Sequence, residues 1–393
     1  MLSGILENMT VREDILKDIK RVVIKIGSSV ISNRDKGCSQ LECGLSREWV
    51  RHYARKIKVI RDKGYDVVLV SSGAIMAGRE RLEFGRADLT VPEKQACAAI
   101  GQSFLMHTYE KAFEKKGLMV AQILLSHDDL GNRRRYLNAK HTIEALLEKG
   151  VIPIINENDS VTVEEIKIGD NDSLSATVAC LVDAQLLIIL SDVEGLYDRD
   201  PSLKNKTEKA QLISHVSKVN EDIERIAGKS KNRLTVGGML TKVQAAKKTM
   251  SFGIPTLVVN GLDEKVIENI FAGKEVGTLF WSGKGKIRDR KHWIAHTLKP
   301  AGTLTIDKGA RKALVERGKS LLPAGLIKVK GDFEFGNALT LLDESGKEIG
   351  RGLVNYNSRD LERIKGMKTS AVRNLMEESF YEEVIHRDDL VIF

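Results

Sequence analysis

The sequence predicts an α/β domain on a mostly parallel sheet, followed by a smaller β-rich module. Three observations lead there. Apolar runs of strand length recur up to about Gly283, and helical patterns lie between them. After a stretch rich in Gly and charge, "WSGKGKIRDRKHW" (281–293), the pattern changes to short strands and turns.

The runs, in order, are "RVVIKIG" (21–27), "DVVLVSSG" (66–73), "VAQILLS" (120–126), "VIPIINEND" (151–159), "AQLLIILSD" (184–192) and "IPTLVVNG" (254–261). They are too apolar to be half exposed and suit strands buried on both faces. Between them lie "LSREWVRHYARKIKVIRDKG" (45–64), "NAKHTIEALLEKG" (138–150) and "GMLTKVQAAKKTMSFG" (238–253). Several end in Gly, as a helix C′ position prefers. Strand alternating with helix implies crossover connections. All six runs end in Gly, Ser, Asn or Asp. Turn chemistry explains any one such cluster; six together point to a shared crevice beyond the carboxyl ends of the strands. Downstream, residues 302–354 read as strands in short turns with one small helix, and "DESGKE" (343–348) is a hairpin signal. The expected divisions are an extension (1–20), an α/β domain (21–283), a linker (284–298) and the module with the C-terminal segment (299–393).

Composition narrows the function class. Apolar residues make up 42% of the chain, and 62 basic against 54 acidic residues leave a net charge of +8. That favours anionic ligands without demanding nucleic acid. Cys38, Cys43, Cys97 and Cys180 form no framework, which fits a reducing compartment. The first twenty residues carry Glu7, Glu13, Asp14 and Asp18 and no long apolar run, unlike a signal or transit peptide. No run of about 18 apolar residues occurs, so no membrane span is expected, and a cytoplasmic location follows.

Phosphate chemistry is written in charges that burial should forbid. "GKS" occurs at 228–230 and 318–320, but Ile223 and Ala313 stand where a P-loop needs Gly. Lys25, by contrast, lies inside an apolar strand two residues before Gly27, where burying it unpaired is costly. Ser71-Ser72-Gly73 ends a second strand and offers backbone amides to an anion. Gly237-Gly238 precede a helix carrying Lys242 in its first turns, a position that disfavours a cation unless an anion intervenes. Asp170, Asn171 and Asp172 open another helix, more polar groups than capping requires. Phosphoryl transfer needs positive charge around the equatorial oxygens and in-line placement, and two lysines with glycine amides would supply both.

"IKIGSSV", "SSGAIMAGRE", "IPIINENDSV", "EIKIGDNDSLSA", "LSDVEGLYDRDP" and "GGMLTK", in this order, closely resemble the glutamate 5-kinases of the amino-acid kinase family. "ERGKSLLPAGL" and "VIHRDDLVI" resemble the PUA domain attached to many of them. The resemblance covers about residues 20–393. It implies a three-layer αβα sandwich with a mostly parallel central sheet (the amino-acid kinase fold) and a small, β-barrel-like PUA domain. It also implies MgATP-dependent phosphorylation of the γ-carboxylate of L-glutamate, the committed step toward proline, with Mg²⁺ carried by ATP and not by protein ligands. Carried over by position, Lys25 and Lys242 would flank the transferring phosphoryl group; Asp172, poor at touching phosphate but good at fixing cations, is expected to orient them. Ser72, Asp159 and Asn171 would hold glutamate, with Asn156 and Asp170 nearby; Asn171 would donate to a carboxylate, and Asp159 and Asp170 would face the ammonium. Ser191, Asp192 and Val236, Gly237, Gly238, Met239, Leu240, Thr241 and Lys242 would bind ATP. Val236 departs from the usual Thr. A homo-oligomer (dimer or tetramer), feedback inhibition by proline and hand-over to glutamate-5-semialdehyde dehydrogenase are further implications.

Two rivals stand beside this. A relative acting on N-acetylglutamate, aspartate or a nucleoside monophosphate would share the lysine and glycine elements, but would not be expected to carry both "INENDSV" and the C-terminal module. An RNA-binding or regulatory protein with a kinase-like shell would use the module, yet Phe333, Phe335 and Tyr356 suit a barrel core equally well.

Overall fold

Strand β1 (Arg21–Ile26) is buried at all but its first residue and sits mid-sheet. Its parallel neighbours are β2 (Asp66–Ser71) and β5 (Leu186–Ser191). With β3 (Val120–Leu125), β4 (Ile152–Glu157), β6 (His215–Val216), β7 (Thr256–Asn260) and β8 (Thr278–Phe280) they form an eight-stranded sheet, ordered β3-β4-β2-β1-β5-β7-β8-β6. The first six in this order run parallel; β8 is antiparallel to β7 and pairs in parallel with β6. This computed structural model describes residues 11–17, 19–33, 44–84, 89–126, 129–130, 133–161, 171–199, 210–228, 238–283, 300–334, 336–376 and 381–393. The chain divides into two compact units, residues 1–131 with 138–283, and residues 132–137 with 284–393.

Alternation along the strands sorts the helices into two layers. Val22, Ile24 and Ile26 of β1, with Leu69 of β2, Ile154 of β4, Ile188 of β5 and Leu257 of β7, share one core with Tyr53 and Ile57 of α2 (Arg47–Asp62). Leu105, Tyr109 and Phe113 of α4 (Val91–Glu114) complete that layer. Val23, Lys25, Val70 and Ile189 therefore point to the other face. There α6 (Asn171–Leu181) packs on β1, β2, β4 and β5, and α8 (Met239–Ser251) packs on β7 and α6. The result is the expected αβα arrangement. Register fixes where Lys25 stands: its Cα partners are Val70 and Ile189.

The longest helix gave no clear periodic signal. α4 opens in a capping box, Thr90 with Glu93, and crosses α3 (Ala74–Arg81) almost backbone to backbone. A Cβ on Gly101 would lie 1.8 Å from Ala74 O, and one on Gly78 would lie 1.8 Å from Cys97 O. Neither backbone can yield locally. Gly101→Ala is expected to destabilise this unit by about 3 kcal/mol or more, the upper end of overpacking costs. Gly228→Ala, with nothing within 4 Å of the new Cβ, should change little; thermal denaturation of both variants checks the contrast.

The N-terminal segment is tied down by one cation. Arg12, buried in α1 (Val11–Lys17), donates to Lys274 O (3.1 Å), Val276 O (2.5 Å) and Ser214 O (3.2 Å). These carbonyls belong to the chain leading into β8 and β6, so the helix straps that sheet edge. Arg12→Ala is expected to lower the melting temperature by several degrees, roughly the cost of unpaired buried carbonyls, with unchanged steady-state kinetics.

The second unit holds a five-stranded sheet, ordered β10 (Leu326–Lys330), β9 (Gly302–Ile306), β11 (Ala338–Leu342), β12 (Glu348–Leu353) and β13 (Leu390–Ile392). The predicted turn is a hairpin between β11 and β12: Asp343 Oδ1 accepts from Ser345 N and Lys347 N, and Gly346 takes φ +83°. The predicted small helix is α10 (Lys308–Arg317), capped by Asp307. Phe333 and Tyr356 are buried in this core, and Phe335 lies outside the described residues.

Candidate active site

The carboxyl ends of β1, β2, β4, β5 and β7 lie on one side of the sheet, because the strands are parallel and nearly level: Ile26 pairs with Ser71, and Ser191 with Asn260. Helices α6 and α8 start at this edge. Asp172, in the first turn of α6, reaches between the two lysines. Its Oδ1 is 2.8 Å from Lys25 Nζ and its Oδ2 accepts from Lys242 Nζ at 3.1 Å. The three side chains are 7%, 0% and 5% exposed for Lys25, Asp172 and Lys242, so two cations and one anion are buried together with a net charge of +1.

Electrostatics keep the triad ionised at its acid. Burial alone would raise the carboxyl of Asp172, but Lys25 and Lys242, with hydrogen bonds from Lys25 and Thr241, hold it well below the usual carboxylate range. Burial pushes Lys242 down, and Asp172 opposes that, with a smaller contribution from Asp192. Thr241 Oγ1 lies 2.7 Å from both Asp172 Oδ2 and Gly238 O. Its single proton can serve only one of them at a time, so this residue, expected to touch nucleotide, also braces the acid. Gly238 precedes α8 in extended backbone (φ −66°, ψ 177°) with open space around it. Met239 and Leu240 continue into the first turn, Leu240 exposed. Ser191 Oγ donates to Asp192 Oδ1 at 3.3 Å.

Beside the triad lies a second polar cluster. Asn171 Nδ2 donates to Ser72 Oγ (2.8 Å) and Asn156 Oδ1 (2.9 Å), with Ser71 O at 3.5 Å. Asn171 Oδ1 is buried and accepts no hydrogen bond among the described residues. The expected role was a donor to a carboxylate. Here both N–H groups are met inside the protein, and the atom that Asn171 leaves over is an acceptor. Asp159 is also buried with Oδ1 unpartnered among the described residues. Burial, then the charge of Glu157, pushes its carboxyl up to about 7. Asp170, Val236 and Gly237 lie outside the described residues, as do Cys38 and Cys43.

Two contributors escaped sequence reasoning. Gln102 of α4 accepts from Asn156 Nδ2 at 2.8 Å, and the Tyr109 and Ser71 hydroxyls are 2.8 Å apart beneath Ser72. The one local hint was Gly101, since a glycine inside a helix often marks close packing.

The sequence signature of the amino acid kinase family matches residues 20–260, and that of the PUA domain matches residues 302–376. A glutamate 5-kinase of Geobacter sulfurreducens is 47% identical over 381 residues, spanning 97% of this chain and 100% of its own. The chain belongs to the glutamate 5-kinase family. Within it, the glutamate 5-kinase of Geobacter metallireducens is 46% identical over 97% of this chain and 100% of its own, and that of Syntrophus aciditrophicus is 45% identical over 97% and 96%. Similarity at this level runs through both units, as expected of glutamate 5-kinases that carry a PUA domain. Among the described residues, no helix is long and apolar enough to cross a membrane.

Proposed function

We propose that this chain transfers the γ-phosphoryl group of ATP to the γ-carboxylate of L-glutamate, giving L-glutamyl 5-phosphate and ADP, the first step toward proline. The observation that carries this is the buried Lys25–Asp172–Lys242 triad with its surplus positive charge, set beside acceptors on Asn171 and Asp159 that have no partner among the described residues. A γ-carboxylate oxygen attacks the γ-phosphorus in line, and the bond to the bridging β–γ oxygen breaks as ADP leaves. The nucleophile is already ionised at neutral pH, so no general base is required. Asp172, held ionised between two ammonium groups, positions charge and moves no proton. Lys25 and Lys242 meet the equatorial oxygens, where charge builds in the transition state. Mg²⁺, arriving on the nucleotide, would add positive charge at the β and γ oxygens.

Asp159 and the free oxygen of Asn171 receive the amino acid's ammonium, with Ser72 and Asn156 fixing Asn171. Gly238 and the first turn of α8 take the phosphates, and Ser191 and Asp192 border the nucleotide. Family resemblance supports a homo-oligomer, inhibition by proline at the glutamate site, a cytoplasmic setting and passage of the labile acyl phosphate to glutamate-5-semialdehyde dehydrogenase. The test is ADP release together with acyl-hydroxamate formation from L-glutamate, N-acetylglutamate and L-aspartate, with and without proline. Glutamate is expected to give the highest kcat/KM; a higher value with N-acetylglutamate would overturn the assignment.

A further inference from the structure

We propose that Gln102 is a positioning residue that sets the direction of the Asn171 amide, and thereby makes the site select an amino acid over a simple diacid. This rests on the assignment of the site to glutamate. The argument is one of donors and acceptors passed along three buried side-chain amides. At one end, the backbone carbonyl of Ser71 can only accept and lies 3.5 Å from Asn171 Nδ2. At the other end, Gln102 presents Oε1 to Asn156 Nδ2 at 2.8 Å. Asn156 is thereby held with Oδ1 toward Asn171 Nδ2, at 2.9 Å. Both protons of Asn171 are then committed, and the atom left over is Oδ1, buried and unpartnered among the described residues.

Turned over, Asn156 would present its NH₂ to Asn171 and favour the Asn171 oxygen inward, exposing a donor to substrate. That arrangement would suit a carboxylate and repel an ammonium. Gln102 touches neither reacting group. It acts through Asn156, and its place is fixed because Gly101 lets α4 close onto α3. The substrate feature it governs is the α-ammonium, which glutarate lacks.

Gln102→Met removes the acceptor at similar volume. It is expected to raise the glutamate KM about tenfold, with the ATP KM within about twofold, and to cut the glutamate-to-glutarate ratio of kcat/KM about tenfold. Gln102→Glu keeps an acceptor toward Asn156 and should retain most of that ratio. Should the Met variant not fold, Gln102→Asn, one methylene too short to reach Asn156, carries the same expectation. A packing role alone would lower the melting temperature and kcat with the ratio unmoved. An unmoved ratio in a folded Met or Asn variant overturns the proposal, and so does a Glu variant as impaired as Met. Failure of the wild-type protein to phosphorylate glutamate would instead overturn the functional assignment, so the two failures are distinct.

Discussion

Asp172→Asn is expected to lower kcat by about 10²–10³-fold while the glutamate KM stays within about twofold, the pattern of an interaction realised in the transition state. The wild-type carboxylate offers one oxygen to each lysine, at 2.8 and 3.1 Å. An asparagine can offer an oxygen to only one and turns an NH₂ toward the other. Two buried ammonium groups then repel each other, and their spacing about the phosphoryl group is lost. The same change should destabilise the ligand-free protein by about 3–5 kcal/mol, the cost of breaking a buried pair from one side. The folded carboxyl is depressed, so its contribution is present above the unfolded value near 4 and is lost as pH falls through the folded one. The stability gap between wild type and variant should therefore persist throughout the neutral range and close only in strong acid. Steady-state kinetics with denaturation from pH 4 to 8 would decide it; a raised glutamate KM at unchanged kcat would sink the assigned role.

Asp159→Asn should change the pH profile as well as the affinity. The free carboxyl titrates at about 7, and only its ionised form can pair with an ammonium. Wild-type kcat/KM for glutamate is thus expected to fall about tenfold per pH unit below 7, since this parameter reports the free enzyme. The asparagine variant should lie about 10²-fold below wild type at pH 8 and lose that limb. Stability runs the other way. Because the folded value lies above the unfolded one, the carboxyl's contribution is intact below about 4 and is lost as pH rises through 7. Asp159→Asn should therefore be the more stable protein at pH 8, by up to about 4 kcal/mol for a three-unit displacement. A wild-type profile flat between pH 6 and 8 would remove the basis for both expectations.

The sheet was legible because its central strands are buried on both faces, and such strands read as unbroken apolar runs. The short strands β6 and β8, two and three residues long at one end of the sheet, leave no such run. α4 was hard to read because its buried face, regularly spaced from Cys97 to Phe113, includes Gly101, Gln102 and Thr108 and so carries only a weak apolar period. In the site, Lys25 stood out as a charge costly to bury unpaired, Lys242 as a cation at the wrong end of a helix, and Asp172 as part of a polar run beyond what capping needs. Gln102 did not, since an amide inside a helix carries no such contradiction and its partner Asn156 is 54 residues away. The direction of the Asn171 amide was beyond sequence in principle, because it depends on which atoms of Ser71 and Asn156 face it.

The crossing of α3 and α4 at Gly78 and Gly101 has a dynamic consequence. A contact made by main chain on main chain has no rotamers to relax, so it parts only when the whole apolar layer parts. Gln102 is one residue from that crossing, so the proposed amino-acid discrimination is expected to lie within the slowest-exchanging, last-opening portion of the protein. Amide protons of α4 around residues 101–105 should share the protection of β1 and β4. Selectivity at this end is therefore inherited from the folding unit itself and survives whatever breathing admits the nucleotide.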